Sequence, residues 1–259
     1  MFAAIAFAVG LFLGMMAMQH LGHGIAIRRM AADPEGAKKG AGVVEGAIFG
    51  LLSLLVAFTF SGAVARFDVR RHLVNEEAVR ILTAWERIAL LPAAAQPEMR
   101  ELFRRYLDSR LETYRQATTD LKVAEDEWQR SVKLQHDIWT HGVTAGQESP
   151  TTAASMLFLP AVNQMIDIAR TRIAATRIHP PLIVYAMLAV MALIGALLAG
   201  YHMAGGKARS WLHTVGFAAV ISVTVYVILD IEYPRFGLIR VDAVDQILID
   251  LRQSMSASH

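Results

Sequence analysis

Residues 43–65 read VVEGAIFGLLSLLVAFTFSGAVA, and this stretch decides the fold class. Glu45, near its start, is its only charged residue, and about 20 apolar residues of helix cross the ~30 Å hydrocarbon core of a bilayer. Three further runs of similar length, 1–19, 180–203 and 211–229, contain no Asp, Glu, Lys or Arg. The sequence therefore predicts an all-α membrane protein with four transmembrane helices.

The composition supports an integral membrane protein and argues against nucleic acid as a partner. The chain of 259 residues is 54% hydrophobic with a mean hydropathy of +0.38, which is too apolar for a soluble domain of this size. Its net charge of +2 gives no overall basic field, so the lipid bilayer and not nucleic acid is the predicted partner. Because the chain has no cysteine, disulfides, thiol catalysis and cysteine-ligated metals are excluded.

The four runs are predicted to form two hairpins around a charged middle domain. The first hairpin occupies residues 1–65 and the second occupies residues 180–230. Residues 66–179 hold most of the charge and lack the alternating pattern of strands, and residues 231–259 follow as a C-terminal tail. The middle domain is therefore predicted to be helical.

Local signals predict two helices at the start of the middle domain. Asn75 is predicted to cap a helix that Pro92 ends. Pro97 is predicted to begin a second helix that continues to Gly142 and Gly146. Apolar residues along this second helix follow the 4-3 spacing of a coiled-coil seam, which predicts packing against another helix: Leu107, Leu111, Tyr114, Leu121, Trp128, Val132 and Trp139.

Basic residues near the membrane predict the orientation. With four spans, both termini and the middle domain share one face, which carries nine arginines: Arg66, Arg70, Arg71, Arg80, Arg170, Arg172, Arg177, Arg235 and Arg240. The opposite face carries six basic residues: Arg28, Arg29, Lys38, Lys39, Lys207 and Arg209. Because cytoplasmic segments carry an excess of Lys and Arg, the middle domain and both termini are predicted to be cytoplasmic.

Two stripes run along the second span. Small residues, which let another helix backbone approach closely, recur every three or four positions: Gly42, Gly46, Gly50, Ser53, Ala57 and Ser61. A second stripe falls beside it at about 100° per residue: Glu45, Phe49, Val56, Phe60 and Phe67. Both stripes can serve helix packing inside one subunit. Alternatively, the small stripe contacts a neighbouring subunit, and Phe49, Val56 and Phe60 form the hydrophobic constriction of a pore.

Charged residues lie at both ends of the second span. If a pore exists, Glu45 would favour cations at one mouth, whereas Arg66, Arg70 and Arg71 would attract anions at the other. The alternative for the three arginines is to anchor lipid headgroups and to pair with nearby acids: Asp68, Glu76 and Glu77.

Motifs for catalysis are absent, and those for metal binding are incomplete. The chain contains no Walker loop and no HExxH or GxSxG motif, so neither an enzyme activity nor a cofactor is predicted. The pairs His20–His23 and His136–His141 lack the complete spacing of a metal site, and no metal is predicted. Acidic residues after the fourth span could bind Ca²⁺ through oxygen ligands, but a solvated tail is favoured: Asp230, Glu232, Asp242 and Asp245.

Several motifs along the chain carry a resemblance to a known family. They are FTFSGAVARFDVRRHLVNEEA (58–78), LLP (90–92), NQMID (163–167) with Arg172, HPP (179–181), FGLIR (236–240) and LR (251–252). In this order they resemble the bacterial bestrophin-like membrane family, which implies a bacterial inner-membrane protein. That family is more distantly similar to true bestrophins. These are pentameric ion channels with four membrane segments per subunit, a pore lined by the second segment, and cytoplasmic termini.

The pattern and the resemblance together predict a function. It is a homo-oligomeric channel or pore for small inorganic ions, weakly selective, with the second span at its axis. The resemblance implies a pentamer, but the chain lacks the dense acidic cluster that follows the last span of true bestrophins, which argues against calcium gating. The alternative is a non-conducting membrane scaffold or sensor whose helical domain binds a partner through the Leu107–Trp139 seam.

Overall fold

The computed structural model describes residues 2–32, 41–149, 152, 154–204, 211–233 and 242–257, which contain eight α-helices and no strand. The chain divides into two compact units. The membrane unit is Met1–Phe67 with His179–Ile239, and the charged unit is Asp68–Ile178 with Arg240–His259. The prediction of an all-α protein is confirmed.

Four long apolar helices build the membrane unit. They are α1 (Phe2–Ala32), the first part of α2 (Ala41–Glu86), α6 (Leu182–Met203) and α7 (Trp211–Glu232). Each is long and apolar enough to cross a membrane, as the sequence predicts. α1 continues beyond the predicted end of the first span, and no proline occurs between Gln19 and Ala32 to end it.

Contacts inside the membrane unit show the direction of each helix. Gly14 of α1 lies beside Leu193 of α6, and Gly22 lies beside Tyr201, so α1 and α6 are parallel. α2 and α7 are likewise parallel to each other, because Phe49 contacts Phe217 near one end and Arg66 contacts Glu232 near the other. α2 is antiparallel to α6, since Phe49 contacts Gly195 whereas Ala63 packs with Tyr185. Successive apolar helices therefore alternate in direction.

Glycines bring α1 and α6 into direct backbone contact. A Cβ atom on Gly22 would collide with the carbonyl oxygen of Leu197, and one on Gly200 would collide with the carbonyl oxygen of Gln19. Small residues at such a crossing allow the van der Waals contact that holds helices together in lipid. The tightest helix contact described in this unit thus involves two glycines outside the small-residue stripe of α2.

The charged unit is a second helical bundle with its own core. After α2 come a 3-10 turn (Arg87–Leu90), α3 (Gln96–Gln116), α4 (Leu121–Glu148), a π-helical turn (Ala154–Phe158), α5 (Leu159–Arg177) and α8 (Asp242–Ala257). Large side chains of several of these elements are fully buried in the core: Phe103, Tyr106, Ile138, Phe158 and Met165.

The predicted cap at Asn75 is wrong, because α2 runs through this position without interruption to Glu86. The sequence after the second span contains no glycine or proline before Pro92, so nothing ends the helix at the point where its composition changes. The apolar face simply continues, with Val74, Ala78 and Ile81 buried in the charged unit. The predicted helix start at Pro97 is confirmed, since this proline lies in the first turn of α3.

The long helix predicted from Pro97 to Gly142 and Gly146 is in fact two antiparallel helices, and the second continues past both glycines to Glu148. α3 ends at Gln116, and Asp120 caps α4 by accepting hydrogen bonds from the backbone N–H groups of Lys122 and Val123 at 2.9 and 3.1 Å. Ser109 donates to the Glu127 carbonyl at 2.7 Å. The predicted seam therefore lies across one hairpin, with Leu107 and Tyr114 buried on α3 and Trp128, Val132 and Trp139 partly buried on α4.

The last helix, α8, is part of the charged unit and packs against α3. The carboxylate of Asp108 accepts hydrogen bonds from Arg252 at 2.7 and 3.1 Å, and Arg104 donates to the Met255 carbonyl at 3.0 Å. Met255 and Leu248 are fully buried in the core. This part of the predicted tail is therefore a folded element.

Candidate functional site

The inner face of α2 packs within its own subunit. Phe49 contacts Phe217 edge to face, with ring centroids 5.8 Å apart, and lies close to Gly195 of α6. Leu52 is buried, and Val56 packs against both apolar clusters of the membrane unit. The aromatic stripe recognised in the sequence is thus the side of α2 that contacts α6 and α7.

The outer face of α2 is exposed along its whole membrane part. All six residues of the small stripe are exposed: Gly42, Gly46, Gly50, Ser53, Ala57 and Ser61. A Cβ atom added to any of the three glycines would meet no atom within 4 Å. Leu54 and Phe58, on the same side, are 51% and 68% exposed, while Phe60, closer to the packed face, is 41% exposed. Among the described residues, this outer face of α2 is therefore open and not packed against another helix.

Glu45 lies at one end of the membrane unit and is almost completely buried. It is 7% exposed, and its Oε2 is 3.4 Å from Nδ1 of His202, a side chain that is 72% exposed. A buried carboxylate beside an exposed imidazole is shielded from the solution by that ring. The sequence predicts that Glu45 lies at a pore mouth, and the structure adds a partner on α6 that no local pattern indicates.

Arg66 and Glu232 form a partly buried ion pair at the other end of the membrane part of α2. The carboxylate of Glu232 is completely buried and accepts hydrogen bonds from Nε of Arg66 at 3.0 Å and from Nη2 at 2.8 Å. Nδ1 of His179 lies 3.1 Å from the same carboxylate, and its ring stacks on Tyr233. This two-pronged contact is a strong form of ion pair, and it joins the end of the second span to the end of the fourth.

The other two arginines predicted at this mouth have different environments within the charged unit. Arg70 is buried and donates to the carbonyl oxygens of Ala175 and Ile178 at the end of α5, at 3.3 and 2.9 Å. It thereby satisfies carbonyl groups that a helix end leaves without partners. Arg71 is exposed and lies 3.9 Å from Asp68.

Glu77 is the centre of a buried charged cluster in the charged unit. Its two carboxylate oxygens accept hydrogen bonds from Arg110 at 2.7 Å, from Arg172 at 2.6 Å and from the Tyr114 hydroxyl at 3.0 Å. Arg172 also lies over the Tyr114 ring, 3.5 Å from its centroid. Glu77 and Arg110 are fully buried, and Arg172 is 3% exposed.

Burial and charge act on Glu77 in opposite directions. Burial alone raises the pKa of this carboxyl group, but the charges of Arg110 and Arg172 and their hydrogen bonds outweigh burial and hold the pKa below its ordinary value. Tyr106, in the same core, has its pKa raised to about 12, chiefly by burial. The cluster is therefore ionised at neutral pH, and it holds α2, α3 and α5 together.

The Bestrophin-like domain model matches residues 11–245. The chain belongs to the Bestrophin-like family. Its fold is similar to crystal structures of two mutants of a bacterial Bestrophin homolog from Klebsiella pneumoniae. No curated protein sequence matches it significantly.

The two structural similarities cover almost the whole bestrophin-like chain. One has a TM-score of 0.68 and 11% sequence identity, and covers 95% of this chain and 98% of the Klebsiella chain. The other has a TM-score of 0.64 and 10% identity, and covers 92% and 98%. At such low identity the similarity concerns the fold alone, and the residues of each site must be argued from this chain.

Metal-binding groups do not converge in the described part of the bestrophin-like chain. No cluster of three His, Asp or Glu side chains occurs there. His141 contacts Glu98 at 3.2 Å and the Asp137 carbonyl at 2.8 Å, on an exposed surface. Asp230 is buried and accepts a hydrogen bond from Tyr226 at 3.2 Å. The side chains of Asp242 and Asp245 lie outside the described residues. Six of the basic residues counted for the orientation also lie outside them: Lys38, Lys39, Lys207, Arg209, Arg235 and Arg240.

Proposed function

We propose that this bestrophin-like protein is one subunit of a homo-oligomeric membrane channel for small ions, in which α2 lines the pore. Membership of the family and the four apolar helices support a channel subunit. The observation that carries the proposal is the outer face of α2, which is exposed while the opposite face packs within the subunit.

Small residues along that face favour a protein neighbour over lipid. Glycine and serine bury little apolar area against acyl chains, whereas they allow a second helix backbone to come close. Because a Cβ atom added at Gly42, Gly46 or Gly50 would meet no neighbouring described atom within 4 Å, their close-approach surface is available to another copy of the chain. We propose that copies surround an axis along α2, and the resemblance to true bestrophins makes a pentamer the expected assembly.

The constriction is proposed to lie on the exposed side of α2. Phe49 and Val56 already contact helices of their own subunit, whereas Leu54 and Phe58 are directed away from it. A ring of such side chains makes a hydrophobic constriction that gates by excluding water, without cofactor or chemistry. Phe60, at the edge of the exposed face, remains a predicted contributor.

Weak ion selectivity is proposed because the charges at both mouths have partners inside the subunit. Glu45 lies against His202, Arg66 pairs with Glu232, and Arg70 caps α5. The ion pair with Glu232 reduces the field that Arg66 presents to a permeating ion, and salt screens what remains beyond about 10 Å. We also propose that the two hairpins hold the middle domain and both termini on the cytoplasmic side of a bacterial inner membrane, as the arginine distribution favours.

Ion flux across the membrane of liposomes that contain the protein tests the proposal. Purified protein should release trapped ions, and Phe58→Ala should change that flux severalfold, because it widens the proposed constriction. Phe7→Ala is the matched control, since Phe7 is 38% exposed on α1 and has no place on the α2 face.

Two results would contradict the proposal. If the protein conducts no ion under any gradient, the scaffold alternative gains support. If Phe49→Ala changes the flux and Phe58→Ala leaves it unaltered, the pore lies on the other side of α2. The scaffold alternative has lost part of its surface, because the Leu107–Trp139 seam is divided between α3 and α4, which pack on each other.

A further inference from the structure

The exposed face of α2 continues past the end of the apolar run. From Ser61 onward, every third or fourth residue stays exposed, through Ala65, Asp68 and His72. Because α2 is uninterrupted from Ala41 to Glu86, and each residue turns a helix by about 100°, these four positions follow one line along its surface. Asp68 is therefore a charged residue on the face that is proposed to line the pore.

Asp68 lies on the opposite side of α2 from the two arginines nearest to it on either side in the sequence. Arg66 and Arg70 are each two residues away, which is about 200° around a helix. Arg66 contacts Glu232 and Arg70 contacts the carbonyl of Ile178, whereas the Asp68 side chain is 64% exposed. At this level the open side of α2 therefore presents a carboxylate and not these two guanidinium groups.

The charge of Asp68 is only weakly compensated. Nη1 of Arg71 is 3.9 Å from its carboxylate, which is beyond hydrogen-bond distance, and both side chains are more than half exposed. Such surface pairs contribute at most about 1 kcal/mol. Arg71 also precedes His72 directly, so it lies about 100° away from the exposed line. Asp68 can therefore act on a passing ion, unlike Glu45, which is buried against His202.

We propose that Asp68 determines the ion preference of the channel and favours cations. The inference rests on the proposed function, because only copies arranged around α2 bring their Asp68 carboxylates into a ring. Rings of carboxylates line the pores of cation channels, where they attract cations and repel anions. Walls of low dielectric constant strengthen such a field and raise the local concentration of cations at the mouth.

The position of the ring makes the preference weak. Asp68 follows Phe58, the proposed constriction residue, by ten positions, which is about 15 Å along a helix. This exceeds the Debye length of ~8 Å at physiological salt, so the ring acts on ions that enter the mouth and not inside the constriction. The preference should therefore increase when the salt is diluted and the Debye length grows.

Reversal potentials of the purified protein in planar bilayers test this assignment. In a NaCl gradient at about pH 8, where imidazole groups ordinarily carry no charge, the wild type should prefer Na⁺ over Cl⁻. Asp68→Asn should lower the Na⁺/Cl⁻ permeability ratio severalfold, and Arg71→Gln should raise it. Asp126→Asn is the matched control, because it removes an exposed carboxylate from α4 and should leave the ratio unchanged.

A single cysteine allows both signs of charge at the same position, because the natural chain has no cysteine. Methanethiosulfonate reagents that carry a sulfonate or a trimethylammonium group are attached to the Asp68→Cys variant, and mass spectrometry verifies full modification. The sulfonate should restore the preference for cations, and the ammonium group should shift it toward anions. Both reagents act on the same folded variant, so a difference between them reports charge and not folding.

The outcomes separate this inference from the proposed function. A protein that conducts with equal permeability ratios in the wild type and in Asp68→Asn supports the channel and overturns the role of Asp68. A wild type that prefers Cl⁻, or equal ratios with the two reagents, overturns that role as well. A protein without any conductance overturns the channel and this assignment together.

Discussion

At the scale of single residues, charges away from water hold the charged unit together. Glu77 faces two arginines and a tyrosine, and all three of these partners are buried. Removing one member of a buried ion pair leaves its partner desolvated and unpaired, which is far more costly than the loss of a surface pair. Glu77 is therefore the position at which a single atom change has the largest expected effect on stability.

Glu77→Gln is predicted to destabilise the protein by about 3–5 kcal/mol, because Arg110 and Arg172 remain buried without a counter-charge. The apparent unfolding temperature of purified protein measures this effect. The neighbouring variant Glu76→Gln is the control, since its pair with Arg80 is partly exposed and worth less than about 1 kcal/mol. Equal unfolding temperatures for the two variants would show that the cluster contributes nothing special.

The same carboxyl group predicts how stability depends on pH. The pKa of Glu77 is lowered in the folded state from an ordinary value of 4.5, so its contribution is fully present above pH 4.5. As the pH falls, the unfolded state takes up its proton first, and the contribution is lost progressively until the lowered folded-state pKa is passed. Unfolding measured from neutral pH into this acid range should show a shallower decline for Glu77→Gln than for wild type. Parallel curves would contradict this assignment.

At the scale of elements, α2 has two faces with opposite roles. One packs against α6 and α7, and the other has only small and apolar side chains in the open. A residue too large for a close helix contact should therefore affect assembly without affecting the subunit fold, if the outer face meets another copy.

Gly46→Leu and Gly50→Leu are predicted to reduce the oligomer fraction severalfold while the monomer remains folded. Size-exclusion chromatography with light scattering in detergent measures the fraction. Gly10→Leu is the matched control, because Gly10 on α1 is also exposed and its added Cβ would likewise meet nothing within 4 Å. If all three variants assemble alike, the contact between subunits lies elsewhere.

Elements were predictable where their signals are local, and contacts were not. The apolar runs and Pro97 identified four long helices and the start of α3, because helix type depends on composition and on the first turn. The turn at Asp120 was missed because apolar residues keep the same 4-3 spacing on both sides of it. Glu77 was named only as an acid near the three arginines that follow the second span. It lies on the same helix face as Val74, Ala78 and Ile81, and an acid on an apolar face was the available signal for burial. The partners His202 and Glu232 are distant in sequence, and no spacing rule links them to Glu45 and Arg66.

At the scale of the whole molecule, the order of the helices restricts the possible topology. The apolar helices alternate in direction, so the end of α1 and the start of α2 lie at the same side of the bundle as the end of α6. The proposed orientation assigns that side to the periplasm and the charged unit to the cytoplasm.

Cysteine labelling in cells tests the orientation, and the natural chain has no cysteine to remove. A single cysteine replacing the exposed Gln147 on α4 is expected to react with a membrane-impermeant maleimide only after the cells are permeabilised. A cysteine replacing the exposed Ala31 at the end of α1 should react in intact cells. The reverse pattern would mean that the protein is inserted the other way round.

The position of α8 in the charged unit has a consequence for biosynthesis. The ribosome makes α3, α4 and α5 before α6 and α7, but the core of the charged unit also needs Leu248, Leu251 and Met255 from the last helix. Until those residues emerge, α3 exposes the apolar surface that α8 covers in the folded unit. A nascent chain that stalls before α8 therefore keeps this apolar surface exposed. Chaperones and proteases that recognise exposed apolar surface can distinguish such a chain from the folded protein.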